Sequence, residues 1–305
     1  MTTIFPLPLK PNDKIAIVSP SGVIDSAYID GAAARLKEWE FEPIIFPHAK
    51  NIYGRYAGTI GERTVDLQQA IDDHSIKAIL CSRGGYGAIQ IIENIDFKPL
   101  VANPKWLIGF SDITIFHAVL SRLNIASVHG IMAKHLTENA SNSNSVRLLH
   151  NILTGNLPSY SLTSHSLNRT GEAKGKLIGG NLSVLYGLRS TKYDFVPEKS
   201  ILFIEDLCEK PYHIDRMMRN LKIGGMLEKL SGLIVGQFTE IEEDASMFKT
   251  VYEIISDAVS DYDYPVCFNF PAGHIAENLP LIMGAEIQME VSEKEVNIFY
   301  KPPTP

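Results

Sequence analysis

Short, wholly apolar runs alternate with stretches of helical apolar spacing through the first half of the chain, and few folds accept that alternation. Residues 15–18, 43–46, 78–81, 107–110 and 126–128 are apolar or nearly so along their whole length. A run without polar alternation is the mark of a strand buried on both faces. Between these runs, residues 29–39, 65–71 and 113–123 carry apolar side chains at helical spacing. Strands joined through helices run parallel, with helices over both faces of the sheet. The expected fold class is therefore α/β, with a doubly wound, flavodoxin-like parallel sheet in an N-terminal domain, residues 1–153.

The second half is mixed. Residues 201–204, 233–235 and 266–270 read as strands, and residues 211–221 and 247–259 as helices. Residues 281–300 alternate apolar and polar, the pattern of antiparallel strands. A stretch rich in Ser, Asn, Thr and Gly, residues 154–176, reads as the connecting segment. A smaller mixed α/β C-terminal domain then spans residues 177–305. Two domains suit 305 residues, about twice the usual domain length of ~150.

Charge and cysteine usage exclude several classes of function. A net charge of -7, with no dense Lys/Arg cluster, leaves no basic stripe to neutralise phosphates, so no nucleic-acid partner is expected. Cys81, Cys208 and Cys267 stand singly in or beside apolar runs and read as small hydrophobes. No Cys-x-x-Cys pair is present, so no structural zinc or other metal is expected. No apolar run approaches the ~18 residues of a membrane span, so no membrane partner is expected either. Residues 1–11 lack a basic region followed by an apolar segment, which with the free thiols points to the cytoplasm.

Ligands of open α/β sheets bind beyond the carboxyl ends of the strands, so polar residues just after buried strands are the ones to examine. Ser111 follows residues 106–110, Glu205 ends residues 201–204, and His274 closes residues 266–273. A serine hydroxyl becomes a useful nucleophile when an imidazole takes its proton. The imidazole in turn needs a carboxylate to hold its tautomer and stabilise its cation. Plainer roles exist for each: Ser111 or Asp112 as a helix N-cap, Glu205 paired with Lys210, His274 as a loop residue. His129 also follows a strand, so the residues alone leave the base open between His129 and His274. His117 lies within the following helix and reads as a packed or surface residue. An α/β-hydrolase-type esterase shares the order Ser, acid, His, but its Gly-x-Ser-x-Gly elbow is absent, since Ile113 stands where the second glycine belongs.

Residues 81–87, Cys-Ser-Arg-Gly-Gly-Tyr-Gly, form a glycine-rich turn between a strand and a helix. They match neither nucleotide-binding glycine pattern. The loop suits a second oxyanion donor, the Gly85 N–H, working with the Asp112 N–H at the start of the helix after Ser111. Arg83 can clamp a substrate carboxylate bidentately, and Gly84 and Tyr86 of the same loop join it as substrate-binding candidates.

The motifs at residues 18–22, 83–87, 109–114, 129–130, 179–182, 204–206, 212–216 and 271–274, in this order and spacing, resemble those of the serine LD-carboxypeptidases. These are also called muramoyltetrapeptide carboxypeptidases, and the family includes the microcin C immunity proteins. The resemblance spans nearly the whole chain. It implies Ser111 as nucleophile, Glu205 and His274 as its relay, and the Gly85 and Asp112 N–H groups as oxyanion donors. His129 matches a family position that is not the base. The resemblance further implies a homodimer without metal or organic cofactor that releases terminal D-alanine from peptidoglycan tetrapeptides in the cytoplasm. Phe110 and His213 depart from residues common at their positions, which touches pocket preference. Two alternatives stand beside this one. The first is an immunity hydrolase acting on a peptidyl-nucleotide, for which Trp39 and Trp106 read as too buried to form a base platform. The second is a small-peptide binding module without catalysis.

Overall fold

The computed structural model describes residues 2–242 and 244–301; residues 1, 243 and 302–305 lie outside it. Among the described residues, thirteen strands in chain order build two sheets: β1 Lys14–Val18, β2 Glu42–Ile45, β3 Ile76–Cys81, β4 Trp106–Gly109, β5 Ser127–His129, β6 Ser159–Thr163 and β7 Gly171–Asn181. They continue with β8 Ile201–Leu207, β9 Gly232–Thr239, β10 Val266–Cys267, β11 Leu281–Met283, β12 Glu286–Val291 and β13 Glu295–Tyr300.

The first sheet has the order β11-β5-β4-β3-β1-β2. Its members β2, β1, β3, β4 and β5 are parallel, and β11 is antiparallel to β5. Successive side chains of a strand point to opposite faces, and here both faces are apolar. Ile15, Ile17, Leu80 and Ile108 join one core cluster with Ile29 and Leu36 of the helix Ser26–Glu38. Ala16, Val18, Ile79 and Leu107 join another with Leu67 and Ile71 of the helix Ile60–Asp72 and Phe116 and Leu120 of the helix Thr114–Arg122. This double coverage is why the strands read as unbroken apolar runs, and it gives the doubly wound α/β sheet expected from them.

The second sheet has the order β10-β9-β8-β7-β12-β13-β6. Strands β10, β9, β8 and β7 are parallel, while β12, β13 and β6 continue the sheet antiparallel. Its outer face packs on the helices Pro211–Ile223 and Val251–Ala258 through Ile214, Met218 and Ile255. Its inner face, with Leu177, Phe203, Ile234 and Met289, belongs to the same cluster as the first sheet. Fully burying such a side chain stabilises by ~1.5–3 kcal/mol, so this shared core resists separation of the halves.

Several elements differ from the sequence reading. Residues 154–176, expected as a connection, contain β6 and the first part of β7. In β6, Ser159, Ser161 and Thr163 are exposed while Tyr160 is buried; the polar composition belongs to the open face of an edge strand rather than to a loop. The alternating tail does form antiparallel strands, but β11 pairs with β5, with Leu281 opposite His129 and Met283 opposite Ser127. All three β11 residues are buried, and in this place they cover what would be an open apolar edge. The strand expected at 266–270 stops at Cys267. The helix expected from 247 starts at Val251, because Thr250 and Glu253 form a capping box there. Among the described residues, no helix is long and apolar enough to cross a membrane.

Candidate active site

Between β4 and the helix Thr114–Arg122 the backbone turns sharply. Phe110 is extended, Ser111 has φ +64°, and Ser111–Ile113 form a single 3-10 turn. A left-handed serine stores of order 1–3 kcal/mol of strain, which surrounding structure must hold. Part of that hold is close packing by Gly84. A Cβ there would lie 2.7 Å from Ser111 Cβ and 2.9 Å from Ser111 Oγ, so only glycine lets the loop after β3 approach the serine this closely.

Asp112 supplies the rest. Its buried carboxylate accepts the Ala88 N–H at 2.8 Å and the Ser21 hydroxyl, tying the loops after β1 and β3 to the serine turn. Burial pushes its pKa up, against hydrogen bonds from Ser21, Ala88 and Gly87 that favour the charged form. From the helix Ile60–Asp72, the buried Arg63 reaches the same loops. Its Nη1 donates to Pro20 O at 2.9 Å and Gly87 O at 2.8 Å, and its Nη2 to Gln90 Oε1 at 2.6 Å. The Gly22 N–H donates to Gly84 O at 2.9 Å. The sequence reading named Asp112 only as a helix N-cap or an N–H donor, and it did not name Arg63. A signal for Arg63 existed, since it falls on the buried face of its helix with Leu67, Ala70 and Ile71.

Two backbone N–H groups of this scaffold have no acceptor among the described residues. The Gly85 N–H donates no hydrogen bond among the described residues. The Asp112 N–H, second in its one-turn helix, has no intrahelical acceptor to reach.

On the second sheet, Glu205 lies in β8 and is fully buried. Its Oε2 accepts a hydrogen bond from His274 Nδ1 at 2.7 Å. A carboxylate partner at Nδ1 puts the proton on that nitrogen and leaves Nε2 as the free base. The loop bearing His274 is pinned on both sides, by Gln237 N–H to Ala272 O at 2.9 Å and Gly273 N–H to Asn278 Oδ1 at 2.9 Å. Burial pulls the His274 pKa down, but the hydrogen bond and charge of Glu205, with the charges of Asp206 and Glu240, outweigh it. The imidazole therefore titrates above its ordinary value. Asp206, on the other face of β8, is pushed up to about 7 by burial and by the charge of Glu205.

The two halves meet beside these groups. The Asn181 N–H donates to Thr114 Oγ1 at 3.0 Å, and Asn181 pairs with Glu205 across β7 and β8. A Cβ on Gly180 would stand 2.4 Å from Thr114 Oγ1. The helix that follows Ser111 thus abuts the strand beside Glu205, and the relative position of serine and histidine is built into the packing.

Ser111 and His274 line one cavity of ≈ 410 Å³, together with Arg83, Gly84, Gly85 and Phe110. The Phe110 ring lies 4.9 Å from the His274 ring. No hydrogen bond joins Ser111 Oγ to His274 among the described residues, so of the two links a relay of these residues would need, the imidazole–carboxylate link is formed and the hydroxyl–imidazole link is open. Links of this kind commonly tighten once substrate is bound. Glu205 stands behind His274, away from the cavity wall. Arg83 is already engaged through Nη1 with Val23 O at 2.5 Å. Tyr86 is not among the lining residues; its ring lies 6.1 Å from Tyr56 with Arg55 above it at 5.9 Å.

The other candidates separate cleanly. His129 is fully buried against Phe203, ring to ring at 4.9 Å, with neither nitrogen partnered among the described residues, and burial drives its pKa well below the ordinary value. It does not line the cavity. His117 is packed in the core, bonded to Ser127 Oγ at 2.8 Å and Gly109 O at 2.9 Å, and burial takes its pKa to about 4. Lys210 pairs with Glu242 rather than Glu205. Cys81 and Cys267 are buried as expected, but Cys208 is exposed. Its φ of +56° just past the end of β8 turns the thiol outward to Glu240 Oε2 at 2.9 Å.

Known proteins resemble this chain along most of its length. Residues 15–130 match the family model described as the LD-carboxypeptidase N-terminal domain, and residues 174–289 match the LD-carboxypeptidase C-terminal domain. The "probable murein peptide carboxypeptidase" of Bacillus subtilis is 30% identical over 96% of this chain and 95% of its own. The microcin C7 self-immunity protein of Escherichia coli is 25% identical over 79% of each chain. The crystal structure of muramoyltetrapeptide carboxypeptidase from Oxalobacter formigenes superposes with a TM-score of 0.86 at 25% identity, covering 95% of this chain and 100% of that one. By its sequence along both halves and by its two-sheet fold, the chain belongs to the LD-carboxypeptidase family.

Proposed function

We propose that this carboxypeptidase is a serine-dependent LD-carboxypeptidase that removes terminal D-alanine from peptidoglycan-derived tetrapeptides. In this reading it works as a cytoplasmic homodimer in cell-wall recycling, without metal or organic cofactor. The observation that carries the proposal is the fully buried Glu205 bonded at 2.7 Å to His274, which shares a cavity with a serine held at φ +64°.

The steps follow from the residues. His274 Nε2 takes the Ser111 proton as Oγ attacks the scissile carbonyl, and Glu205 stabilises the imidazolium. The Gly85 and Asp112 N–H groups receive the oxyanion, each worth ~3 kcal/mol in the transition state. His274 then returns the proton to the departing amine of D-alanine. Water, activated by the same imidazole, cleaves the acyl-enzyme. Arg83 at the cavity wall suits the terminal carboxylate, with Gly84 lining the cavity beside it. A peptidyl-nucleotide would need an aromatic surface for its base, and neither Trp39 nor Trp106 lines the cavity.

Mass spectrometry of a muropeptide tetrapeptide incubated with the protein tests the reading. Loss of one alanine is expected with the wild type, and a fall of at least ~10⁴-fold with folded Ser111→Ala. An unchanged rate in Ser111→Ala would overturn the nucleophile, and an intact tetrapeptide with the wild type would overturn the substrate.

A further inference from the structure

One group in the cavity has no part in the relay. His135, on the short helix Ala133–Glu138, lines the cavity with Ser111 and His274. Its ring packs edge-on against Phe110, centroids 5.6 Å apart, and Phe110 makes the same kind of contact with His274 at 4.9 Å. A single aromatic ring, one residue before the serine, therefore aligns both imidazoles.

The two imidazoles differ in their partners. His274 has a carboxylate, whereas His135 has no hydrogen-bond partner at either ring nitrogen among the described residues. Its neighbours Lys134 and Glu138 are engaged elsewhere, with each other at 3.9 Å and, for Glu138, with the Tyr28 hydroxyl at 2.7 Å. Burial and the positive charge of Lys134 take the His135 pKa down to about 4, only partly opposed by Glu138, so the ring is neutral near pH 7.

A neutral imidazole carries one N–H and one lone pair. Nδ1 of His135 is sealed from solvent without a partner, while Nε2 is not among the sealed atoms. A buried orphan N–H is rarer and costlier than a buried orphan acceptor. The proton accordingly sits on Nε2, and the cavity is offered a donor without charge.

We infer that His135 is a further substrate-binding residue, whose Nε2–H donates a hydrogen bond to a carbonyl or carboxylate oxygen of the bound peptide. The inference rests on the proposed tetrapeptide substrate. It gives Arg83 and His135 separate tasks: Arg83 matches a full negative charge, and His135 reads an oxygen without demanding one. The contact holds ground state and transition state alike, so it acts on KM.

The test measures binding by calorimetry, using Ser111→Ala so that no turnover intervenes. Ser111→Ala/His135→Phe keeps a ring against Phe110 but lacks the donor, and is expected to bind the tetrapeptide about tenfold more weakly. Ser111→Ala/His135→Gln, whose amide restores an N–H, is expected to recover most of the affinity. In otherwise wild-type protein, His135→Phe should raise KM with little change in kcat. Equal affinity of Ser111→Ala and Ser111→Ala/His135→Phe would overturn the inference while cleavage by the wild type still supports the proposed reaction. A large fall in kcat at constant KM would overturn it in favour of a chemical role. Failure of Ser111→Ala to bind any tetrapeptide would remove the substrate reading and this contact with it.

Discussion

Replacing Gly84 by alanine perturbs Ser111, the proposed nucleophile, without removing a polar group. The new Cβ would stand 2.7 Å from Ser111 Cβ, 2.9 Å from Ser111 Oγ and 3.1 Å from Phe110 O. Ordinary contact begins near 3.4 Å, so the loop and the serine turn must separate by about 0.7 Å, and neither neighbour is the loose end of a long side chain. Both loops are tied down by Asp112 and Arg63, so the shift falls on Ser111 itself and on the Gly85 N–H beside it. A misplacement of ~1 Å costs a reaction about 10²-fold. Gly84→Ala is therefore expected to lower kcat by about 30- to 100-fold, with overpacking reducing stability by ~1–3 kcal/mol. The assay is initial-rate D-alanine release from tetrapeptide, with thermal unfolding run in parallel. A wild-type kcat in the folded variant would refute the claim that close packing holds the serine.

Three further outcomes are expected. Because Glu205 raises the pKa of His274, the free-base form needed for attack appears only as pH climbs through that raised value, and activity rises along this acid limb. Glu205→Gln leaves burial to dominate, so the limb should move to lower pH while kcat falls by about 10³–10⁴-fold; a limb that stays in place in a pH–rate profile would contradict this. Asp112→Ala strands the Ala88 N–H and the Ser21 hydroxyl and should destabilise by ~2–4 kcal/mol, read as a lower denaturant midpoint at unchanged slope. Gly180→Ala places a Cβ against Thr114 at a φ of +136° and should cost more than ~3 kcal/mol, part of which Thr114→Ala returns in a double-mutant cycle; simple additivity would deny the contact.

The parallel strands of the first sheet were legible because burial on both faces leaves an unbroken apolar run, as in Ile15–Ala16–Ile17–Val18. Ser111, Glu205 and His274 were legible for a related reason: each follows or ends such a run, where an open α/β sheet presents its carboxyl edge. Choosing His274 over His129 was not open to the residues alone. Both follow apolar stretches, and only packing shows that one ring has a carboxylate and the other lies sealed against Phe203. Arg63 and the link from the Asp112 carboxylate to other loops were not legible because their partners are mostly backbone groups of distant loops, which leave no pattern along the chain. The edge strand β6 was hidden by its exposed serines, and β11 by a partner far away in sequence.

The placement of β11 also sets an order of events during synthesis. Residues 127–129 leave the ribosome well before residues 281–283, which pair with them. At ~5–20 residues per second the interval is roughly 8–30 s. Throughout it, β5 presents an unpaired apolar edge, and Glu205 and His274 arrive only within the same interval. The nascent chain therefore spends that time with one edge of its first sheet uncovered. A nascent chain halted before residue 281 lacks the segment that pairs with that edge.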